Sequence, residues 1–383
     1  MQEVTLLTLA SCLSAGLFTG LLAYLKLALA RKPDTAPRLA MWLPALNLAI
    51  ALLMGAAGTM ADTFGIRAAV VGGSALAGLG LAWLGLGGPQ GRSPYPLLVA
   101  TLGACTVYVC ALRLMPPGLL GRHETAASIN LGLVYIAVTG LMAPPLFELL
   151  RAGMGFRGAL TILGLLAASP LFLSFRVPEA DLAPPGAVSL VGLASDPHVW
   201  AAGLVFFVYA PLEAFIGVWA TSYCESHDGA PGAASWWMAW FWIAMSASRV
   251  VMALVMHVAT IPELYQLSFL VIPALLAAVC LGNMSGSARY SQAMTGLILL
   301  GVCLGPVLPM LLSILAVMKG TASGPATAFG ILFACGALGS LIFSPLVDWS
   351  TREKNLEAGL RIPLFLALAL TVTSLFFGLL RSQ

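Results

Sequence analysis

Twelve long, almost uninterrupted apolar runs set the limits on what this chain can become. They lie at 4–30, 37–59, 68–88, 95–116, 127–149, 157–175, 198–222, 235–258, 265–283, 292–318, 324–346 and 361–380. A helix needs about 20 such residues to cross the roughly 30 Å hydrocarbon layer of a bilayer. Lipid offers no partner to a backbone amide, so a crossing segment must be a helix or part of a closed barrel. A barrel strand alternates polar and apolar over about ten residues, whereas these runs stay apolar throughout. The expected fold class is therefore an all-α membrane protein with twelve transmembrane helices, and the lipid bilayer is its solvent. Composition agrees: 60% of the 383 residues are hydrophobic and 9% charged, where a soluble domain carries about a quarter charged residues. An ordinary soluble enzyme, a disordered chain and a nucleic-acid-binding protein are excluded.

Six of the seven cysteines (Cys12, Cys105, Cys110, Cys280, Cys303, Cys335) lie inside apolar runs, and Cys224 sits just beyond one. Their spacing suggests neither a disulfide framework nor a zinc site, and the four histidines are scattered. No metal and no cofactor are expected. The first run is too long for the apolar region of a signal peptide, and the Met-Gln-Glu before it carries no positive side chain. It is expected to remain as the first helix.

The segment 176–197, RVPEADLAPPGAVSLVGLASDP, is polar and proline-containing and falls near the middle. It divides the chain into an N-terminal bundle (1–175), a linker (176–197) and a C-terminal bundle (198–383), with six apolar runs in each bundle. A weak internal repeat has the same phase. Arg122 is followed by HETAAS and a Gly-rich run, and Lys319 by GTASGPAT and another. Two matched sets of helices are the pattern of repeat-built transporters.

The second run ends in GTMADTFGIR, Gly58 to Arg67. Gly65 permits a tight turn, Asp62 can cap a helix or pair with a cation, and Gly58 lets helices approach closely. The stretch resembles the signature loop of the major facilitator superfamily, with Gly58, Asp62, Gly65 and Arg67 all in register. The resemblance implies the major facilitator fold, two six-helix bundles working by alternating access as a monomer, and a gating role for those four residues. It also implies both termini in the cytoplasm, with a bacterial cytoplasmic membrane as the setting. There are departures. The corresponding later loop, ALVMHVATIPEL, has His257 in place of the aspartate. GLMAPPLFE (Gly140 to Glu148) looks like a damaged antiporter motif, with Pro144 replacing a glycine, which argues against drug antiport. FVYAPLEAFIGVWATSY, FWIAMSASRVV and LGPVLPM look like the sugar-permease branch that includes fucose permease-like proteins.

The charge distribution conflicts with that topology. Of the 18 Lys and Arg residues, Arg113 and Arg249 lie within helices. Only Arg67, Arg122, Arg176, Lys319 and Arg381 would face the cytoplasm, leaving eleven outside, against the positive-inside bias. The motif fixes the side of one loop and takes precedence over a statistical bias.

Ionisable groups inside a membrane are costly and mark functional sites. Glu213, Arg249 and Arg113 stand within helices. Arg249 shares a helical face with Trp242 and Ser246 and reads as a substrate-holding cation, or as a structural partner of Glu213. Glu213, one turn after Tyr209, reads as a proton-coupling carboxylate or a static ion pair. Arg113 lines a cavity or snorkels to the surface. Asn47, Tyr108, Asn130 and Tyr135 are polar groups on helices that, by the resemblance, line the cavity and contact the substrate, or they form interhelical hydrogen bonds. Pro306 and Pro309 read as bending devices.

The expected function is secondary active transport of a small polar solute, sugar-like or an organic anion, coupled to protons. The chain is not expected to be an enzyme, since no acid, base or metal set clusters at a membrane face. The rivals are an exporter of lipophilic compounds, an intramembrane enzyme, and a non-transporting sensor on the same scaffold.

Overall fold

The computed structural model describes residues 2–30, 37–87, 95–120, 124–178, 182, 192–193, 195–226, 233–258, 267–285, 290–318, 326–354 and 359–381. Side chains are described outside 23–30, 37–47, 217–226, 233–238, 285, 290, 317–318, 344, 347–354 and 381. Asn47, Arg122 and Lys319 fall outside that description. The elements in chain order are α1 (Gln2–Ala30), α2 (Pro37–Phe64), α3 (Ile66–Gly87), α4 (Tyr95–Gly118), α5 (Thr125–Ala167), α6 (Ser169–Ser174) and α7 (Pro197–Ser226). There follow α8 (Ala233–Val258), α9 (Ser268–Ser285), α10 (Tyr290–Leu304), α11 (Val307–Met318), α12 (Ala326–Lys354) and α13 (Arg361–Arg381).

No strand occurs among the described residues. Nine helical segments among them are long and apolar enough to cross a membrane, and two shorter apolar helices, Leu48–Phe64 and Ser268–Met284, accompany them. One of the nine, Thr125–Ser174, spans two of the expected runs. It turns at Gly155, whose φ of 72° belongs to the left-handed region that glycine enters without a Cβ penalty. The helices are consistent with the twelve runs, and the chain is an integral, multi-pass membrane protein.

The solvent of this fold is legible on α13. Phe365, Leu368, Val372, Leu375, Phe376 and Leu379 recur at helical spacing and are exposed. Leu366, Ala367, Leu370, Ser374 and Phe377, on the other side, are buried. A helix apolar on both faces has no water-facing side, so its exposed face belongs in hydrocarbon.

The chain forms two compact units. The first comprises Met1–Leu193 with Ala316–Ala334, and the second Ala194–Leu315 with Cys335–Gln383. In the first, α1 packs on α4 and α5, and α3 on α4 and α5. Its core joins Leu17, Phe18 and Leu21 to Leu81, Phe147, Leu160 and Leu163. Small residues set the spacing. A Cβ on Gly20 would lie 1.9 Å from the Gly140 carbonyl oxygen, and one on Gly103 2.2 Å from the Ala77 nitrogen. In lipid the hydrophobic effect does not draw helices together, so such close backbone packing supplies much of the attraction.

In the second unit α7 packs on α8 and α13, α8 on α10, and α9 on α10 and α13. Asp196 opens α7: its Oδ1 accepts the His198 backbone N–H at 2.9 Å, and Pro197 takes the first helical position, where no N–H is needed. The stretch 290–318 is broken at Gly305–Pro306, dividing α10 from α11.

Candidate functional site

Two constellations of buried polar groups stand out, one in each unit. The first gathers at Asp62. Gly65, with φ 86°, makes the turn that ends α2 and starts α3, leaving Asp62 three residues back in the last turn of α2. Its Oδ1 accepts from Arg113 Nη1 at 2.5 Å and from the Ala326 N–H at 3.1 Å. Its Oδ2 accepts from the Thr327 N–H at 2.8 Å and the Thr327 hydroxyl at 2.7 Å. One carboxylate thus neutralises a guanidinium and caps the positive end of α12, where the first N–H groups have no intrahelical acceptor. Both charged side chains are almost sealed, at 3% and 2% exposure. The approach of α12 depends on Gly58, where a Cβ would sit 2.5 Å from the Ala326 carbonyl oxygen. Nearby, Arg67 Nη2 donates to the Val177 carbonyl, fastening the start of α3 to the end of the first six runs.

The second constellation lies where α10 breaks. In a helix the Gly305 carbonyl would accept the N–H four residues on, but that residue is Pro309, which has none. Arg249 Nε supplies the donor from α8 at 2.9 Å. The neighbouring Leu304 carbonyl accepts the Tyr209 hydroxyl from α7 at 3.1 Å. The same hydroxyl is a close polar neighbour of both the Glu213 carboxylate and the Arg249 guanidinium. Tyr209 is fully buried and Arg249 is 5% exposed. A Cβ on Gly305 would meet the Ser248 hydroxyl at 1.9 Å, so the glycine lets α8 reach the break.

The remaining sequence-selected residues spread over both units. Trp242 and Ser246 are half-buried on α8, two turns and one turn before Arg249 respectively, and Trp242 stands edge-on to Phe241 with centroids 5.2 Å apart. Tyr108 is half-buried on α4 and packs edge-on against Phe333 at 5.1 Å. Asn130 is fully buried on α5 and donates to the Ala126 carbonyl at 2.8 Å; its Oδ1 has no hydrogen-bond partner among the described residues. Tyr135, half-buried on α5, lies near Cys12 of α1. The structure therefore joins Asp62 to Arg113, and Tyr209 to Glu213 and Arg249. Ala326, Thr327, Leu304 and Gly305 were not legible as partners. Backbone amides and carbonyls have no side-chain signature, although the spacing of Gly305 and Pro309 marks an orphaned carbonyl. No group of three or more metal-ligating side chains occurs among the described residues.

No family model matches the chain, and no curated protein matches it. Solved structures do. A fucose:proton symporter of E. coli superposes with a TM-score of 0.74 at 15% identity, covering 98% of this chain and 99% of its own. A proton:xylose symporter gives 0.72 at 14%, covering 98% and 94%. The human organic anion transporter MFSD10 gives 0.73 at 16%, covering 97% and 99%. At such identities the likeness concerns the fold, and the fold is that of the major facilitator superfamily.

Proposed function

We propose that this protein is a proton-coupled secondary transporter of a small polar solute, a sugar or an organic anion, working by alternating access. The single observation that carries this reading is the trio at a broken helix of Tyr209 and Arg249, both buried, with the half-buried Glu213. A carboxylate and a guanidinium in a membrane-spanning unit are costly, and here they meet a helical segment whose backbone is interrupted, at Gly305–Pro306. The fold likeness to two proton symporters for sugars and to an organic anion transporter supports the choice of solute class. Glu213 takes and releases the coupling proton. Arg249 holds the helix break and supplies a positive charge near it, while Trp242 and Ser246 extend the same face of α8.

In this reading the two halves, 1–175 and 198–383, move on the linker 176–197, and the GTMADTFGIR loop gates that movement. Asp62 holds Arg113 and the start of α12 in one state and releases them in the other. The protein acts without catalytic chemistry of its own, as a monomer in a bacterial cytoplasmic membrane with both termini cytoplasmic.

The test is uptake into proteoliposomes loaded with a pH-sensitive dye. Radiolabelled L-fucose, D-xylose and small carboxylates are offered with and without an inward proton gradient. Accumulation of one of them with matching internal acidification is expected, and Glu213→Gln is expected to leave exchange but abolish gradient-driven accumulation. Uptake indifferent to the gradient would remove the coupling.

A further inference from the structure

The trio at the helix break contains a conflict of hydrogen bonding that the residues cannot settle without a proton. Tyr209 has one O–H. It faces two acceptors, the Leu304 carbonyl at 3.1 Å and the Glu213 carboxylate. A hydroxyl favours an ionised carboxylate over a neutral carbonyl, because the charge-assisted bond is roughly twice as strong. When Glu213 carries a proton that advantage disappears, and the hydroxyl is free to donate to Leu304.

We infer that Tyr209 is a positioning residue that passes the protonation state of Glu213 to the break between α10 and α11. This rests on the proposed role of Glu213 and adds what its proton moves. With Glu213 neutral, Tyr209 holds the Leu304 carbonyl while Arg249 holds that of Gly305, and the break is pinned from two helices. With Glu213 ionised, the Tyr209 proton turns to the carboxylate and Leu304 is released. Only Arg249 then holds the joint. No proton leaves Tyr209 in either state; the hydroxyl rotates, and the proton gained or lost belongs to Glu213.

The groups facing Glu213 limit the alternatives. Its charged and titratable neighbours are Arg249, from α8, and Tyr209, from its own helix. The start of α11 and the break itself bring carbonyls, and α10 adds only the thiol of Cys303 near that level. The part of α12 that packs on α7 does so through Gly336 and Gly339, beside Cys335. The last helix, α13, carries charge only at Arg361 and Arg381, its two ends. Arg249 is already committed to Gly305 through Nε, so its direction is fixed by the backbone as well as by Glu213. The Tyr209 hydroxyl is the element free to choose.

The full chain in lipid nanodiscs can be followed by hydrogen–deuterium exchange of peptides covering 300–312, corrected for the intrinsic pH dependence of exchange. From mildly acid to mildly alkaline conditions, protection there is expected to fall about five-fold, the worth of one net hydrogen bond. Glu213→Gln should hold the acid value throughout, since an amide carbonyl does not outcompete Leu304 as a charge does. Tyr209→Phe should show the alkaline value throughout. A fixed structural role for Tyr209 would lower protection in Tyr209→Phe but leave its pH dependence intact, and that result overturns the inference. Flat protection in the unmodified protein overturns it too. The proton-coupling reading fails separately, in the uptake assay: gradient-driven uptake with flat protection removes this relay alone.

Discussion

Replacing Asp62 by Asn keeps the shape of the side chain and removes its charge. Arg113, 3% exposed and 2.5 Å from the carboxylate, is left as a buried cation without a counter-ion. Removing one partner of a buried pair costs about 3–5 kcal/mol. Asn retains one acceptor oxygen for the start of α12, so at most part of a capping contribution of about 0.5–2 kcal/mol goes with it. Arg113→Gln should cost less, because the carboxylate keeps three donors from Ala326 and Thr327. The double variant removes both charges together. Its cost should fall short of the sum of the two by about 2–3 kcal/mol, the upper range for residues in one network. Equilibrium unfolding of the full chain in mixed micelles, titrated with a denaturing detergent, measures all four corners of the cycle. Additivity within about 0.5 kcal/mol would mean that Asp62 and Arg113 do not depend on each other, and the reasoning about this buried pair would be wrong.

Other substitutions test the packing and the break. Arg249→Met should lower the unfolding midpoint by withdrawing the donor to Gly305, an unsatisfied buried carbonyl costing about 1–3 kcal/mol. Adding Pro309→Ala should recover stability by supplying an N–H four residues on; a double variant no more stable than the single one counts against the assignment. Gly20→Val should destabilise by about 3 kcal/mol or more, since its Cβ meets the Gly140 carbonyl oxygen at 1.9 Å. Gly55→Ala, with no atom within 4 Å of its Cβ, should be neutral or gain up to about 1 kcal/mol of helix propensity, as read by thermal melting in the same lipid. Gly65→Ala should cost about 1–2 kcal/mol because φ is 86°.

Much of this molecule is written in one dimension. The apolar runs dictate helices because a backbone in hydrocarbon must satisfy itself, and their composition alone makes lipid the solvent. The turn at Gly65 and the orphaned Gly305 carbonyl follow from local chemistry: a glycine at a left-handed φ, and a proline four residues after an acceptor. Glu213 and Arg249 could be singled out because charge is rare in such segments. What the sequence could not determine is which groups these residues would find. Asp62 meets Thr327 across 265 positions, and the partners there are backbone amides that every residue possesses. Arg249 could be read as facing a solute or Glu213; only the packing of α8 on α10, permitted by the bare Cα of Gly305, turned its guanidinium to a carbonyl. Long-range pairing depends on how helix faces come together, and that is a property of the assembled units, because no single helix contains both partners.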